Sequence, residues 1–115
     1  MQLIDPRGLW DLWNFLNKHS ALSIPPNPPS SGFIGLALML PHCHYVDMFE
    51  FVPSLRMTKR CHYYEDHEDM GCTIGEWHPL AAEKLLYLAL NEAEDDIVFH
   101  DGYVRIKGFP SLTNC

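Results

Sequence analysis

Basic residues are scarce in this chain. Eight Lys and Arg stand against fifteen Asp and Glu in 115 residues, for a formal net charge of −7. That balance argues against non-specific nucleic-acid binding, which needs a basic face. It also means that any anionic ligand must be held locally, by helix starts and single cations. Long apolar runs are missing as well. The longest, Phe33 to Leu40, falls far short of the roughly 20 residues that span a bilayer. The opening Met1-Gln2-Leu3-Ile4-Asp5-Pro6 has neither the basic end nor the apolar stretch of a signal peptide, and there is no internal repeat. These absences suggest a cytosolic protein.

The cysteines disagree. Four in a chain of this size, two of them flanking a polar, aromatic loop, fit pairing in an oxidising compartment better than buried thiols. Cys61 and Cys72 close a loop of a dozen residues, and a disulfide there stabilises by about 3 kcal/mol on chain-entropy grounds. Zinc is the competing account, because His62, His67 and His78 are nearby. The spacing matches no common zinc pattern, since no C-x2-C pair is followed by an H-x3–5-H pair.

With 47% hydrophobic and 20% charged residues, the composition is that of one folded domain with a modest core. Asp5-Pro6 predicts a helix cap and a first-turn proline, and Leu9, Trp10, Leu12, Trp13 and Leu16 recur at amphipathic spacing as far as Asn17 to Ser20. Ser23 to Pro29 is extended and proline-rich. Ser30-Ser31-Gly32 then opens an apolar helix, Phe33 to Leu40, which Pro41 stops. Tyr45 to Val52 reads as a strand buried on both faces of a parallel sheet, so the expected class is α/β. Ser54 to Trp77 is a long irregular loop, of the length that is usually functional or disordered. A helix follows from Pro79 to about Ala93, with Ala82, Leu85, Leu86 and Ala89 on its core stripe. Asp101-Gly102, flanked by Ile97-Val98-Phe99-His100 and Tyr103-Val104-Arg105-Ile106, has the composition of a tight hairpin turn.

Two of these features carry chemistry. Ser30, Ser31 and Gly32 at a helix start offer backbone N–H groups, two hydroxyls and a glycine that lets a ligand approach, a recipe for holding phosphate; the plain alternative is an ordinary serine cap. His78 precedes a proline suited to the first helical position. The partial positive charge of the helix start disfavours imidazolium there, leaving neutral imidazole as a general base. Its plain alternative is a capping histidine, just as Glu83 and Lys84 read plainly as solvated helix charges, Trp77 as core packing, and Glu65 to Asp69 as an acidic surface loop.

The order of the motifs adds what the pieces lack. Asn27-Pro28-Pro29-Ser30-Ser31-Gly32, continuing through Cys43 and Val46-Asp47 to Glu50-Phe51-Val52-Pro53-Ser54, resembles the small sialylmotif of the animal sialyltransferases of the β-galactoside α2,6 type. Cys61-His62-Tyr63-Tyr64-Glu65 resembles their third motif, and His78 with Glu83, four residues between them, the very small motif. The tail from Gly108-Phe109 to Cys115 fits too. The resemblance covers nearly the whole chain. It implies that residues 1–115 are the C-terminal part of a catalytic domain, a fragment from which the large sialylmotif, stem and membrane anchor are absent, within a Rossmann-like glycosyltransferase fold of parallel sheet flanked by helices.

What the resemblance implies for function is an inverting, metal-independent transfer of sialic acid from CMP-sialic acid to the 6-hydroxyl of a terminal galactose on a glycan or glycoprotein. No cofactor is implied, and membrane attachment comes only through the absent anchor. The parent protein would act on the lumenal side of the Golgi membrane. His78 matches the catalytic base. Ser30, Ser31 and Gly32 match donor-binding positions, and His62, Thr73, Trp77 and Lys84 match positions lining the donor and acceptor site. Glu83 is expected to orient the site rather than move a proton. Trp77 stands where the family usually has tyrosine. The resemblance pairs Cys61 with Cys72 and gives Cys43 and Cys115 partners outside this chain. Two other readings stay open: a truncated, inactive sialyltransferase-like chain, and a small secreted binding module held by Cys61–Cys72 and Cys43–Cys115.

Overall fold

The computed structural model describes residues 3–21, 23–56, 60, 62, 64–69 and 78–112. Among the described residues the regular elements are five helices and two strands: α1 (Pro6–Lys18), α2 (Ser31–Met39), β1 (Tyr45–Phe49), α3 (Leu80–Leu90), α4 (Asp95–Asp101), β2 (Tyr103–Lys107) and α5 (Phe109–Leu112). The mixed class expected from the sequence is present. The sheet is another matter. Among the described residues it has two strands, and β1 pairs antiparallel with β2, with Val46 opposite Ile106 and Met48 opposite Val104. No parallel pair occurs among them.

β1 is also shorter and less buried than the sequence suggested. Of its side chains only Met48 is fully buried, while Tyr45, Asp47 and Phe49 face outward. The outer face is made of cross-strand partners, the unit that stabilises sheets. Arg105 forks onto Asp47 at 2.7 and 2.8 Å, Phe49 leans on Tyr103 with ring centroids 5.0 Å apart, and the Arg105 guanidinium lies 5.6 Å from the Tyr45 ring centre. The strand stops because Glu50 turns left-handed, with φ 65°, a conformation that ordinary side chains seldom adopt. Its amide is satisfied by the Gly102 carbonyl at 2.7 Å.

Residues 97–100 form no strand. They lie in α4, whose first turn carries Asp95 and Asp96 and whose end is Gly102 at φ 75°. Acidic residues at the N-terminus and a left-handed glycine just past the C-terminus are helix-ending chemistry. The Asp101-Gly102 pair that suggests a hairpin turn therefore closes a helix.

The core lies between the inner face of the ribbon and the helices. Leu16 of α1, Phe33 and Leu36 of α2, Met48, Val52, Tyr87 of α3, Val98, Val104 and Ile106 form one buried cluster. α1 starts as expected, with Asp5 accepting the Arg7 amide at 2.9 Å and Pro6 in the first turn. The proline-rich segment is strapped to it. Trp13 donates its indole N–H to the Pro25 carbonyl at 2.9 Å, and Asn17 accepts the Ile24 amide at 3.2 Å.

α3 differs from expectation at both ends and in its buried stripe. It begins at Leu80, because Pro79 (φ −76°, ψ 54°) sits in an inverse γ-turn in which the Leu80 amide bonds to the His78 carbonyl at 2.8 Å. It ends at Leu90, where Asn91 swings extended and holds the chain beside β2, accepting amides from Ala93 and Arg105. Its fully buried side chains are Glu83 and Tyr87; of the expected stripe Ala82 and Leu86 do pack against the core, whereas Ala89 is exposed and Leu85 is 68% exposed.

Candidate active site

Ser30 caps α2. Its hydroxyl accepts the Phe33 amide at 3.2 Å, so the plain reading of this serine is correct as far as it goes. The same residue also reaches across the fold. Its amide donates to Glu83 Oε1 at 2.8 Å and its hydroxyl to Oε2 at 2.6 Å. Glu83 is only 1% exposed, which overturns the reading of it as a solvated helix charge. A carboxylate is buried at this depth only when donors surround it. Tyr87, one turn further along α3, adds a third at 3.3 Å.

Burial pushes the Tyr87 phenol well above the usual tyrosine range, and the negative charge of Glu83 pushes it the same way. The phenol therefore stays a donor toward the carboxylate. Tyr87 also packs edge-on against Phe33 and Phe51, with centroids 6.2 and 5.7 Å away.

His78 lies two residues before α3, outside its cap, and not at the cap as the sequence suggested. The helix charge is felt mainly within the first turn, and a more direct contact fixes this ring. Nδ1 stands 2.8 Å from the Pro28 carbonyl oxygen. A carbonyl only accepts, so this bond requires a proton on Nδ1, and in the neutral ring that leaves the lone pair on Nε2. When neutral, the half-buried His78 therefore has its acceptor at Nε2.

The helix start offers fewer open amides than the serine-glycine triplet suggests. Ser30 gives its N–H to Glu83, Phe33 gives its own to Ser30, and Ile34 bonds the Ser30 carbonyl at 3.0 Å. The amides of Ser31 and Gly32 take no part in these bonds. Gly32 has a packing reason to lack a side chain: a Cβ would run into the Phe51 ring. Approach of a ligand is therefore not what demands glycine there.

The fold brings Ser30, His78 and Glu83 together, and Ser31 and Gly32 follow on the same turn. Lys84 is half-buried beside Glu83 on α3. His62 is turned toward its own loop, pairing with Glu65 at 3.1 Å and stacking on Tyr64 at 5.0 Å. Thr73, Trp77, Cys61, Cys72 and Cys115 lie outside the described residues. Cys43 is half-buried and unpaired as a disulfide. Sequence reasoning missed Pro28 and Tyr87. The (i, i+4) spacing of Glu83 and Tyr87 was a usable signal; a backbone carbonyl leaves none.

Comparison with known proteins defines the class. The profile of glycosyltransferase family 29, the sialyltransferases, matches residues 1–94, and the chain belongs to that family. Over 110 residues it is 41% identical to beta-galactoside alpha-2,6-sialyltransferase 2 of Xenopus tropicalis. The proteins of that name from Rattus norvegicus and Homo sapiens are 42% and 40% identical over the same length. Each match covers 96% of this chain and 21% of the relative. The chain spans about a fifth of the length of the curated relatives it matches, and the sialyltransferase resemblance read from its motifs is borne out.

Proposed function

We propose that this segment supplies the general base, and part of the donor site, of an enzyme that moves sialic acid from CMP-sialic acid to the 6-hydroxyl of a terminal galactose on a glycan. The family supports sialyl transfer, and the names of the relatives support a β-galactoside acceptor and an α2,6 linkage. The single observation that carries the mechanism is the bond from His78 Nδ1 to the Pro28 carbonyl, which in the neutral ring puts the lone pair on Nε2.

In this reading Nε2 takes the proton of the galactose 6-hydroxyl as that oxygen attacks the anomeric carbon from the face opposite CMP. The new glycosidic bond forms, the bond to the CMP phosphate breaks, and the configuration inverts. Because the base acts on the hydroxyl directly, the step requires no metal-activated water. The amides of Ser31 and Gly32 face the donor phosphate, Ser30 acts by holding Glu83, and His62, Thr73, Trp77 and Lys84 line the rest of the site. A Cys61–Cys72 disulfide ties the intervening loop, and Cys43 and Cys115 pair with cysteines elsewhere in a longer lumenal Golgi protein.

The test is a chimera in which this segment replaces the matching 110 residues of the Xenopus tropicalis relative. Transfer from CMP-sialic acid to a galactose-terminated oligosaccharide is expected to survive. His78→Ala is expected to lower turnover by about 10² to 10⁴ while CMP binding is retained. Undiminished turnover in that variant removes His78 from the mechanism, and a mapped Cys43–Cys115 bridge favours the self-contained module instead.

A further inference from the structure

We infer that Glu83, with Tyr87 behind it, is the positioning residue that fixes the tautomer of His78, acting through the Pro28-Pro29-Ser30 segment. The proposal rests on the reading of His78 as the base. Its geometry is a closed circuit. Ser30 bonds Glu83 through both its amide and its hydroxyl. Glu83 sits in the first turn of α3, its amide bonded to the Pro79 carbonyl at 3.0 Å. His78 is the residue before Pro79, and its ring returns to the Pro28 carbonyl at 2.8 Å.

The link between Ser30 and Pro28 is stiff. Both Pro28 and Pro29 have φ locked by their rings, and Pro28 is further restricted by the proline that follows it. Pro29 is buried. Fixing Ser30 therefore fixes the direction of the Pro28 carbonyl, and that carbonyl decides which imidazole nitrogen carries the proton. Charge-assisted bonds to a carboxylate are roughly twice as strong as neutral ones, so Glu83 is a firm anchor for a loop that otherwise ends in a simple cap. Tyr87 holds the second carboxylate oxygen from the far side, in a core of aromatic rings that keeps water away.

A merely structural role predicts a loss of stability and nothing at the imidazole. The positioning role predicts a change at the ring itself, read by ¹⁵N shifts of His78 and by solvent exchange of its Nδ1 proton in this chain. In the wild type the Nδ1–H form should dominate. Glu83→Ala should yield a mixture of tautomers, with proton exchange faster by about tenfold or more, as expected on losing hydrogen bonds to a charged group. Glu83→Gln, which keeps an acceptor for the Ser30 amide, should restore most of the wild-type signal. Should Glu83→Ala fail to fold, Ser30→Ala, which removes only the hydroxyl contacts, should show the same change more weakly. A wild-type imidazole spectrum in a folded Glu83→Ala or Ser30→Ala overturns the proposal. That result is separate from the fate of His78 as a base, which the His78→Ala chimera decides alone.

Discussion

The Phe51 ring occupies the space where a Cβ on residue 32 would stand. Behind that ring is Tyr87, perpendicular to it at 5.7 Å, so Phe51 has little room to retreat. Replacing a helical glycine with alanine ordinarily gains about 1 kcal/mol of helix propensity. Overpacking a tight contact costs about 1–3 kcal/mol. The second term should win here, and Gly32→Ala should destabilise by up to about 2 kcal/mol in urea unfolding. Combined with Phe51→Leu, the two losses should be clearly less than additive. Strict additivity would mean the ring is not the obstacle.

Gly102 is the other position where the backbone dictates the residue. At φ 75° it ends α4 and faces the side chains of Glu50 and Ser54. An alanine there should cost about 1–2 kcal/mol, the penalty for an L-residue in the left-handed region. Asparagine, which tolerates that region better, should cost less. Thermal denaturation of the two variants gives the ranking, and equal losses would point to crowding instead of φ.

Across the ribbon, the Arg105 guanidinium holds the Asp47 carboxyl below the usual carboxylate range through its hydrogen bonds. A carboxylate with a depressed folded pKa stabilises above its unfolded value, about 3.9, and that contribution fades as pH falls through the folded value. Asp47→Asn should therefore be less stable than the wild type at pH 7, and the difference should shrink at pH 3 and below. The pair is partly exposed, with side chains 45% and 32% accessible, so added salt should reduce the difference as well. A gap independent of pH and salt would assign the effect to packing.

Tyr87 sets the alkaline limit. Its phenol is raised above the ordinary tyrosine value by burial and by Glu83. The unfolded chain releases that proton near pH 10 while the folded chain keeps it, so stability falls as pH rises above that point. Tyrosinate absorbance should show one component that appears only with unfolding, and Tyr87→Phe should remove it. Titration of that component in the folded protein would contradict the burial of the phenol.

How much of this could be read from the residues varies with the range of the cause. α1 was legible because its cap, Asp5-Pro6, is local, and α2 because Ser30 caps it in the ordinary way. α4 was misread because Ile97, Val98 and Phe99 favour strands individually, while Asp95, Asp96 and Gly102 act at the ends and prevail. The two-sided burial of β1 was misread because an apolar run does not reveal that Tyr45 and Phe49 lie on an outer face with partners of their own. The motif order identified the family and singled out His78, Ser30 and Glu83. Their joining was not legible: the partners of Glu83 and His78 lie 53 and 50 positions away along the chain, and one of them is a bare carbonyl.

The strap of Trp13 onto Pro25 has a mechanical meaning for the distant imidazole. Held by the indole at one end and by Glu83 at the other, the stretch from Pro25 to Ser30 is a beam on two supports, not a cantilever. Its midspan, where the Pro28 oxygen projects, can bow only slightly. Loosening the indole support should thus be felt at the histidine although the tryptophan sits on α1, as a softer spring.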